Sequence, residues 1–499
     1  MIAERPDSTN RSDTANRVKP LQRILAQGSD EKHGLKRSLG PWSLTAMGIG
    51  AIIGTGIFVL TGVAAATRSG PALTISFVVA GIVSALAALC YAEVSSKIPI
   101  SGSAYTYAYA TFGELLAWII GWDLILEYAL GAATVSIGWS GYFGTILKNA
   151  GLAIPTAWAH SPFDPTPGIM NLPAAAIILI ITALLVRGTK ESGMVNNIIV
   201  AAKLVVVLFF IILGIGHINP ANYALPAGPG TGLGGYIPFG WAGVFGGASF
   251  IFFAYIGFDA VSTAAEETKN PGKDLPFGII MSLVICTILY IIVVAVLTGM
   301  VPFNLLNVSS PVAFAMDHVG LGWAAVIISL GAIAGLTTVL LVMMFGQSRI
   351  IYAMGRDGLV PQWFTAVHPT WRTPIFSTVF FGVLIAAIAA FTPIDVVGSL
   401  TNMGTLAAFV LVSLALPVLR RKHPELIGGF NVPFGPWVIP LLSAATALFL
   451  IYYLREGSTH VFGIPLPWFG FVVWLVIGMA IYLGYGRAHS VVATTSDSK

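Results

Sequence analysis

The chain has 499 residues, of which 56% are apolar and only 9% charged, with a mean hydropathy of +0.85 and a net charge of +4. Soluble domains carry about 25% charge, so this composition excludes a soluble enzyme, a nucleic-acid binder and a disordered chain, and leaves the lipid bilayer as the solvent. A spanning helix needs about 20 apolar residues, and roughly twelve such helices use about half of the length, which leaves loops and short tails but no large extramembrane catalytic domain.

In chain order, residues 1–40 come first: a polar, Ser/Asn/Asp/Arg-rich stretch holding eight Lys/Arg, expected as a disordered tail. It contains no apolar signal segment, so the first span is expected to serve as the insertion signal. Apolar segments bounded by Pro, Gly and charge then predict spans at 41–65, 71–97, 113–147, 171–187, 194–217, 240–266, 275–300, 322–354, 374–391, 395–419, 434–454 and 466–486, followed by a tail over 487–499. Runs of this length exclude the alternation of a membrane barrel, and only helices remain. The even count puts both termini on one side. If that side is cytoplasmic, it receives the eight basic residues of the tail and thirteen more in loops, at span ends and in the second tail, including Lys190, Arg372 and Lys499, so 21 of the 25 Lys/Arg. Arg68, Lys148 and Arg455 fall opposite, and Lys203 lies within a span. This is a strong positive-inside pattern. Cys90 and Cys286 both fall in apolar runs and read as buried small hydrophobes, with no disulfide framework.

Two spans break the helical pattern. The first contains Gly48, Gly50, Gly54 and Gly56 within nine residues, each destabilising a helix by about 1 kcal/mol relative to Ala. The sixth reads Phe252-Phe253-Ala254-Tyr255-Ile256-Gly257-Phe258-Asp259, a glycine close to an acid at mid-membrane. Close helix packing through small residues explains Gly50 and Gly54, but not a second interruption five spans later. Paired interruptions at corresponding positions point to an inverted-repeat transporter with a midplane site. The organisation expected is an all-α polytopic protein with repeat one over 41–217, repeat two over 240–419, broken helices one and six, and two further helices over 434–486.

The run Gly48-Ile49-Gly50-Ala51-Ile52-Ile53-Gly54-Thr55-Gly56-Ile57-Phe58 resembles the first-span signature of the amino acid–polyamine–organocation transporters. Further matches are Ala92-Glu93 with Pro99-Ile100-Ser101-Gly102-Ser103-Ala104-Tyr105, and Gly121-Trp122-Asp123-Leu124-Ile125-Leu126-Glu127-Tyr128. Phe253 to Asp259 matches too, as does Arg349 with Ala353-Met354-Gly355-Arg356-Asp357-Gly358. Together they resemble the cationic amino acid transporter subfamily in its bacterial form, over roughly residues 35–485; animal members have two more spans. The resemblance implies a five-plus-five inverted repeat with two extra spans and secondary active transport of amino acids, often proton-driven.

An amino acid zwitterion needs an anion site beside a cation site. The outer half of the first helix restarts near Gly54 to Ile57, where free N–H groups and the positive dipole end suit a carboxylate. Thr55 adds a hydroxyl there, unless it makes an ordinary intrahelical bond, and Gly54 and Gly56 permit close backbone approach. Carbonyls of Ile52, by resemblance, and of Phe253, Ala254 and Ile256 suit the ammonium. Phe253, Tyr255 and Phe258 are candidate walls or gates. The resemblance associates a polar residue on the eighth span with cationic substrates; the alignment puts Met343 there, with Met344 adjacent. A thioether offers a cationic side chain no ion partner, which favours small neutral substrates.

Lys203 lies about nine residues into the fifth span, roughly 13 Å deep at 1.5 Å per residue. A lysine there costs about 2.5–3.5 kcal/mol on insertion scales, and desolvation makes such a group readier to lose its proton. That suits proton coupling, the alternative being a static ion pair. By resemblance the ammonium takes the place of a sodium ion in related carriers and holds spans one, five and eight together. Glu127 and Asp123 share a face of span three; Glu127 is a candidate for substrate contact or proton relay, and Asp123 reads as structural. Asp259 either caps the inner half of span six or acts directly. Glu93 is expected to pair with a loop cation. All eight histidines lie in loops, tails or span ends, and no metal-ligand cluster, nucleotide-binding Gly-Lys-Ser/Thr motif or channel filter loop appears. No metal and no cofactor is expected. No disulfide-linked heavy subunit is expected either, because neither cysteine is in an extracellular loop. The expected function is proton-coupled uptake of L-amino acids across the cell membrane by alternating access. An exchanger, a cationic amino acid or polyamine carrier, and a non-transporting membrane amino acid sensor are the alternatives.

Overall fold

The computed structural model describes residues 37–99, 103–188, 193–224, 234–371, 373–426 and 429–491. Most of the N-terminal tail, Ile100 to Gly102 of the second-span motif, the loop cations Lys190 and Arg372, and the end of the C-terminal tail with Lys499 lie outside them. Between its loops the described chain is helical, apart from a short antiparallel hairpin, His460–Val461 with Ile464–Pro465, and a single bridge between Leu39 and Thr268. Among the described residues, eight helices are long and apolar enough to cross a membrane, and three shorter ones are apolar as well. One of the eight runs, Gly56–Lys97, folds back at Gly70 and Pro71, where Gly70 takes φ +62°. With Pro41–Ile52, which precedes that run, these helices make twelve passes.

Span one is Pro41–Ile52 followed, after a gap, by a helical stretch from Gly56 to Ser69. Spans two to five are Leu73–Lys97, Glu114–Asn149, Leu172–Arg187 and Gly193–Ile215. Span six is Gly240–Ile251 with a tightened turn Phe252–Tyr255, then an inner piece Asp259–Glu267. Spans seven to ten are Pro271–Met300, Gly322–Arg356, Ile375–Phe391 and Ile394–Lys422. Span eleven is Val438–Tyr453, and span twelve is Leu466–Ile481 with a continuation to His489. The side holding the start of span one is called inner below.

The boundaries differ from the sequence-based ones where backbone chemistry intervenes. Span seven starts four residues early because Pro271 suits a first helical position, where its missing N–H is no loss. Span eleven starts four residues late because Phe434 and Gly435 both take positive φ, 60° and 80°. Span ten runs on through Arg420, Arg421 and Lys422, cations at a helix C-terminus.

The helix pairings follow the inverted repeat. Spans two and seven, three and eight, and four and nine each pack against their own counterpart. Span one packs on seven as six packs on two, and three packs on ten as eight packs on five. Spans eleven and twelve lie outside this exchange. Eleven rests on ten and two, and twelve on ten and three. Trp122 and Trp474 fasten twelve to three: their rings stack 4.2 Å apart, and each indole Nε1 donates to the other's carbonyl at 2.8 and 3.0 Å.

Buried polar groups are mostly satisfied, as a bilayer requires. Thr61 and Thr134 donate to the carbonyl one turn back. At the inner end of span two, the fully buried Glu93 accepts from Lys97 at 2.7 Å, from Arg420 at 2.6 and 2.5 Å, and from the Val432 N–H at 2.7 Å. The expected pairing exists, but Arg420 is on the prolonged tenth helix rather than in a loop. At the outer end of span one, Arg68 lies over the Phe250 ring, 4.4 Å from its centroid, and donates to the Glu456 carbonyl.

Candidate functional site

The inner half of span one ends when Ile53 turns extended, with ψ 101°. Gly54 and Thr55 bridge the gap, and the helix resumes at Gly56 with its first N–H groups facing the break. Span six is interrupted in the same way. Ile256 is extended at ψ 134°, Gly257 takes φ +115°, and helix resumes at Asp259. The two breaks touch. A Cβ on Gly257 would stand 2.8 Å from the Ala51 carbonyl, and one on Gly56 only 2.2 Å from the Ala254 Cα.

A cavity of about 390 Å³ opens on the inner side of this crossing, a volume suited to a small-molecule ligand. Met47, Gly50 and Ala51 of span one form one wall, and Ile256, Gly257, Asp259 and Ala260 of span six the next. Span three contributes Glu127 and Tyr128, and span eight Thr338, Val339, Val342 and Met343. Leu39, Ser43 and Glu267 stand at the inner ends. On the outer side, Ile57 to Leu60 are buried, and Tyr142 seals against them by donating to the Phe58 carbonyl at 2.6 Å.

Of the residues expected at the site, Glu127, Ile256, Asp259 and Met343 line the cavity. Ile52, Gly54, Thr55, Gly56, Ile57, Phe253 and Ala254 form the closed seam beyond its outer end. Within that seam, Thr55 is buried and its Oγ1 has no hydrogen-bond partner, so it makes no intrahelical bond. Gly54 has room around it, with Val339 3.4 Å from a Cβ placed there. Several expectations change. The Ile52 carbonyl accepts from Tyr290 Oη at 2.8 Å, and the Phe253 carbonyl from the Ile256 N–H at 3.2 Å, so neither points unpaired at the cavity. Gly56 serves contact between the breaks rather than ligand approach. Tyr255 and Phe258 turn away from the cavity. Tyr255 Oη donates to the Phe77 carbonyl of span two at 2.8 Å, and Phe258 packs edge-on to Tyr91 and beside Phe409. Asp259 is not the N-cap, which is Phe258; it opens the first turn, and its carboxyl faces the Gly257 and Ala260 N–H groups.

Lys203 is 1% exposed, and its Nζ donates to the Gly50 carbonyl at 2.7 Å. Its stem lies along Gly335, where a Cβ would be 3.0 Å from Cε. The lysine therefore joins spans one, five and eight through a carbonyl of a cavity-lining residue, and no carboxylate pairs with it among the described ion pairs. Asp123, read as structural, is buried, and neither carboxyl oxygen has a partner. Sequence reasoning missed Met47, Tyr128, Thr338, Val339 and Val342. The last two lie four and one residues before Met343, so helical spacing from Met343 was the available signal. Among the described residues no trio of His, Cys, Asp or Glu could hold a metal.

The profile of the amino acid permease family matches residues 39–487. A methylthioribose transporter of Bacillus subtilis is 49% identical over 474 residues, covering 95% of this chain and 98% of the relative. The branched-chain amino acid permease BcaP of the same organism is 50% identical over 477 residues, again 95% and 98%. The vacuolar cationic amino acid transporter 4 of Arabidopsis thaliana is 40% identical over 418 residues, 82% of this chain and 67% of its own. Matching helix breaks, a cavity where they cross and full-length similarity to permeases agree: the chain is a membrane transporter of the amino acid permease family, in the amino acid–polyamine–organocation superfamily, and is not an enzyme.

Proposed function

We propose that the chain takes up small neutral L-amino acids, coupled to protons, by alternating access around spans one and six. The observation carrying this reading is the cavity wall of Met343, Val339, Val342 and Ile256. It offers an aliphatic side chain apolar contact and gives a guanidinium or ammonium on span eight no partner. The unpartnered Thr55 hydroxyl and the restarted helix of span one would take the carboxylate once the seam opens. Lys203 supports coupling: protonated, it holds the Gly50 carbonyl, and loss of its proton weakens the bond between span five and the inner half of span one. The BcaP relative is named for branched-chain amino acids, which fits this wall. Both termini are cytoplasmic in this reading, in the cell membrane, and no cofactor or heavy subunit takes part.

Glu127, Asp259 and Glu267 in the lining favour a second reading, a cationic substrate. Uptake into proteoliposomes decides between them. Labelled valine, alanine, arginine and methylthioribose are offered separately, with and without an inward proton gradient. Gradient-dependent accumulation of valine or alanine is the expected result. Accumulation of arginine alone establishes the second reading, and uptake that needs internal amino acid and ignores the gradient makes the protein an exchanger.

A further inference from the structure

Beyond the cavity, the core of the bundle holds polar side chains that the fold leaves unsatisfied. Neither carboxyl oxygen of Asp123, which is 1% exposed, has a hydrogen-bond partner. Gln347 on span eight is 2% exposed, and both its amide oxygen and its nitrogen lack partners. Asn402 on span ten donates through Nδ2 to the Ser249 and Phe250 carbonyls but leaves its Oδ1 unpaired. Buried polar groups are nearly always paired, so unpaired ones ask for an explanation. A lone carboxylate in an apolar interior takes a proton instead of keeping its charge.

Their placement is ordered. Spans three and eight run antiparallel with Gly131 against Met343, Tyr128 against Gly346 and Gly121 against Met354. This register sets Gln347 level with Glu127. Asp123 lies one turn further inward on the same face of span three as Glu127. Opposite it is Gly404 of span ten, where a Cβ would stand 2.8 Å from Asp123 Oδ1; the missing side chain is the space the carboxyl uses. Glu127 is itself in the cavity wall and borders Thr405 of span ten. A short polar column thus leads from the cavity wall to a carboxyl that the cavity does not reach.

We propose that Asp123 is a proton-holding site, exchanging its proton with the cavity through Glu127 while Gln347 supplies a donor and an acceptor beside the transfer. The inference deepens the proton-coupled reading and rests on it. In the inward step the proton leaves the Glu127 carboxylic acid and binds the Asp123 carboxylate; Glu127 becomes ionised, Asp123 neutral, and the total charge is unchanged. The reverse step returns the proton to the cavity. The titratable groups around the column are Glu127 and Tyr128 of span three, Asp259 of span six, Tyr91 of span two and Tyr107 of the short helix Ser103–Thr111. Span eight presents Gln347, span ten Gly404, Thr405 and Asn402, and span twelve packs on span three through Trp474 and Tyr482.

Infrared difference spectroscopy of the full-length protein in lipid nanodiscs tests this by the carbonyl stretch of protonated carboxylic acids. The expected result is a band at neutral pH that shifts when aspartate is isotopically labelled at its side-chain carboxyl. Asp123→Asn abolishes it, Asp259→Asn leaves it, and Glu127→Gln or added valine displaces it. A band untouched by Asp123→Asn, or no aspartic acid band at all, overturns the proposal. So does an Asp123 band that neither Glu127→Gln nor valine moves, since that marks a static acid. If Asp123→Asn does not fold, the labelled wild-type protein with valine and the Glu127→Gln variant still gives the decisive response. Wild-type uptake indifferent to a proton gradient would instead mark failure of the coupling reading, and it is read from flux without reference to the band.

Discussion

Lys203 and Glu93 are both buried ionic side chains, yet their surroundings assign them opposite uses. Lys203 has a single neutral partner, the Gly50 carbonyl at 2.7 Å, so no opposite charge holds its proton and its bond is weakened when the proton leaves. Lys203→Met is therefore expected to bring gradient-driven accumulation down to the level seen without a gradient, measured as labelled valine uptake into proteoliposomes. Glu93 is clamped by two cations and a backbone N–H. Removing the carboxylate leaves Lys97 and Arg420 with their charges poorly compensated, and Glu93→Ala is expected to cost about 3–5 kcal/mol of stability. Thermal unfolding of the detergent-solubilised protein measures this, with a lowered midpoint as the expected outcome. Lys203 and Glu127 stood out in the sequence because charge is rare in an apolar run. The distant partner of Glu93 did not: Arg420 is 327 positions away, and nothing local announces that contact.

At the scale of elements, the two broken helices carry glycines that do different work. Gly54 borders Val339 at an ordinary contact distance, whereas a Cβ on Gly56 would collide with the Ala254 backbone. Gly54→Ala is expected to keep most of the uptake, while Gly56→Ala forces the breaks apart and abolishes it; comparing initial uptake rates at equal protein incorporation checks both. Loss of uptake in Gly54→Ala together with normal uptake in Gly56→Ala would contradict this division. Composition made the breaks legible, since four glycines in nine residues disfavour continuous helix. Which glycine meets a helix and which faces open space depends on the crossing of spans one and six, and this is also why Tyr255 and Phe258, adjacent to the break, turn into spans two and ten instead of the cavity.

For the molecule as a whole, the pattern of basic loops makes a topological prediction. Cys90 and Cys286 are buried, so a membrane-impermeant maleimide should leave the parent protein unlabelled in intact cells. Thr459→Cys, exposed between spans eleven and twelve, is expected to label from outside, and Gln362→Cys, exposed between spans eight and nine, only after the cells are opened. The reverse pattern would invert the proposed orientation.

Sequence alone determined the solvent, the helical class, the number of passes and the pairing of interruptions in spans one and six. These follow from composition and from local backbone preference, which act within one span. It also marked Glu127, Asp259 and Met343, each found in the cavity wall. Tertiary structure alone decided the rest: that Ile52 and Phe253 carbonyls are occupied, that Lys203 reaches Gly50, that Val339 and Val342 join the wall, and that Asp123 is left without a partner. Each of these depends on the register and rotation of helices distant in sequence, which hydropathy does not encode because a lipid-facing and a partner-facing side chain can be equally apolar.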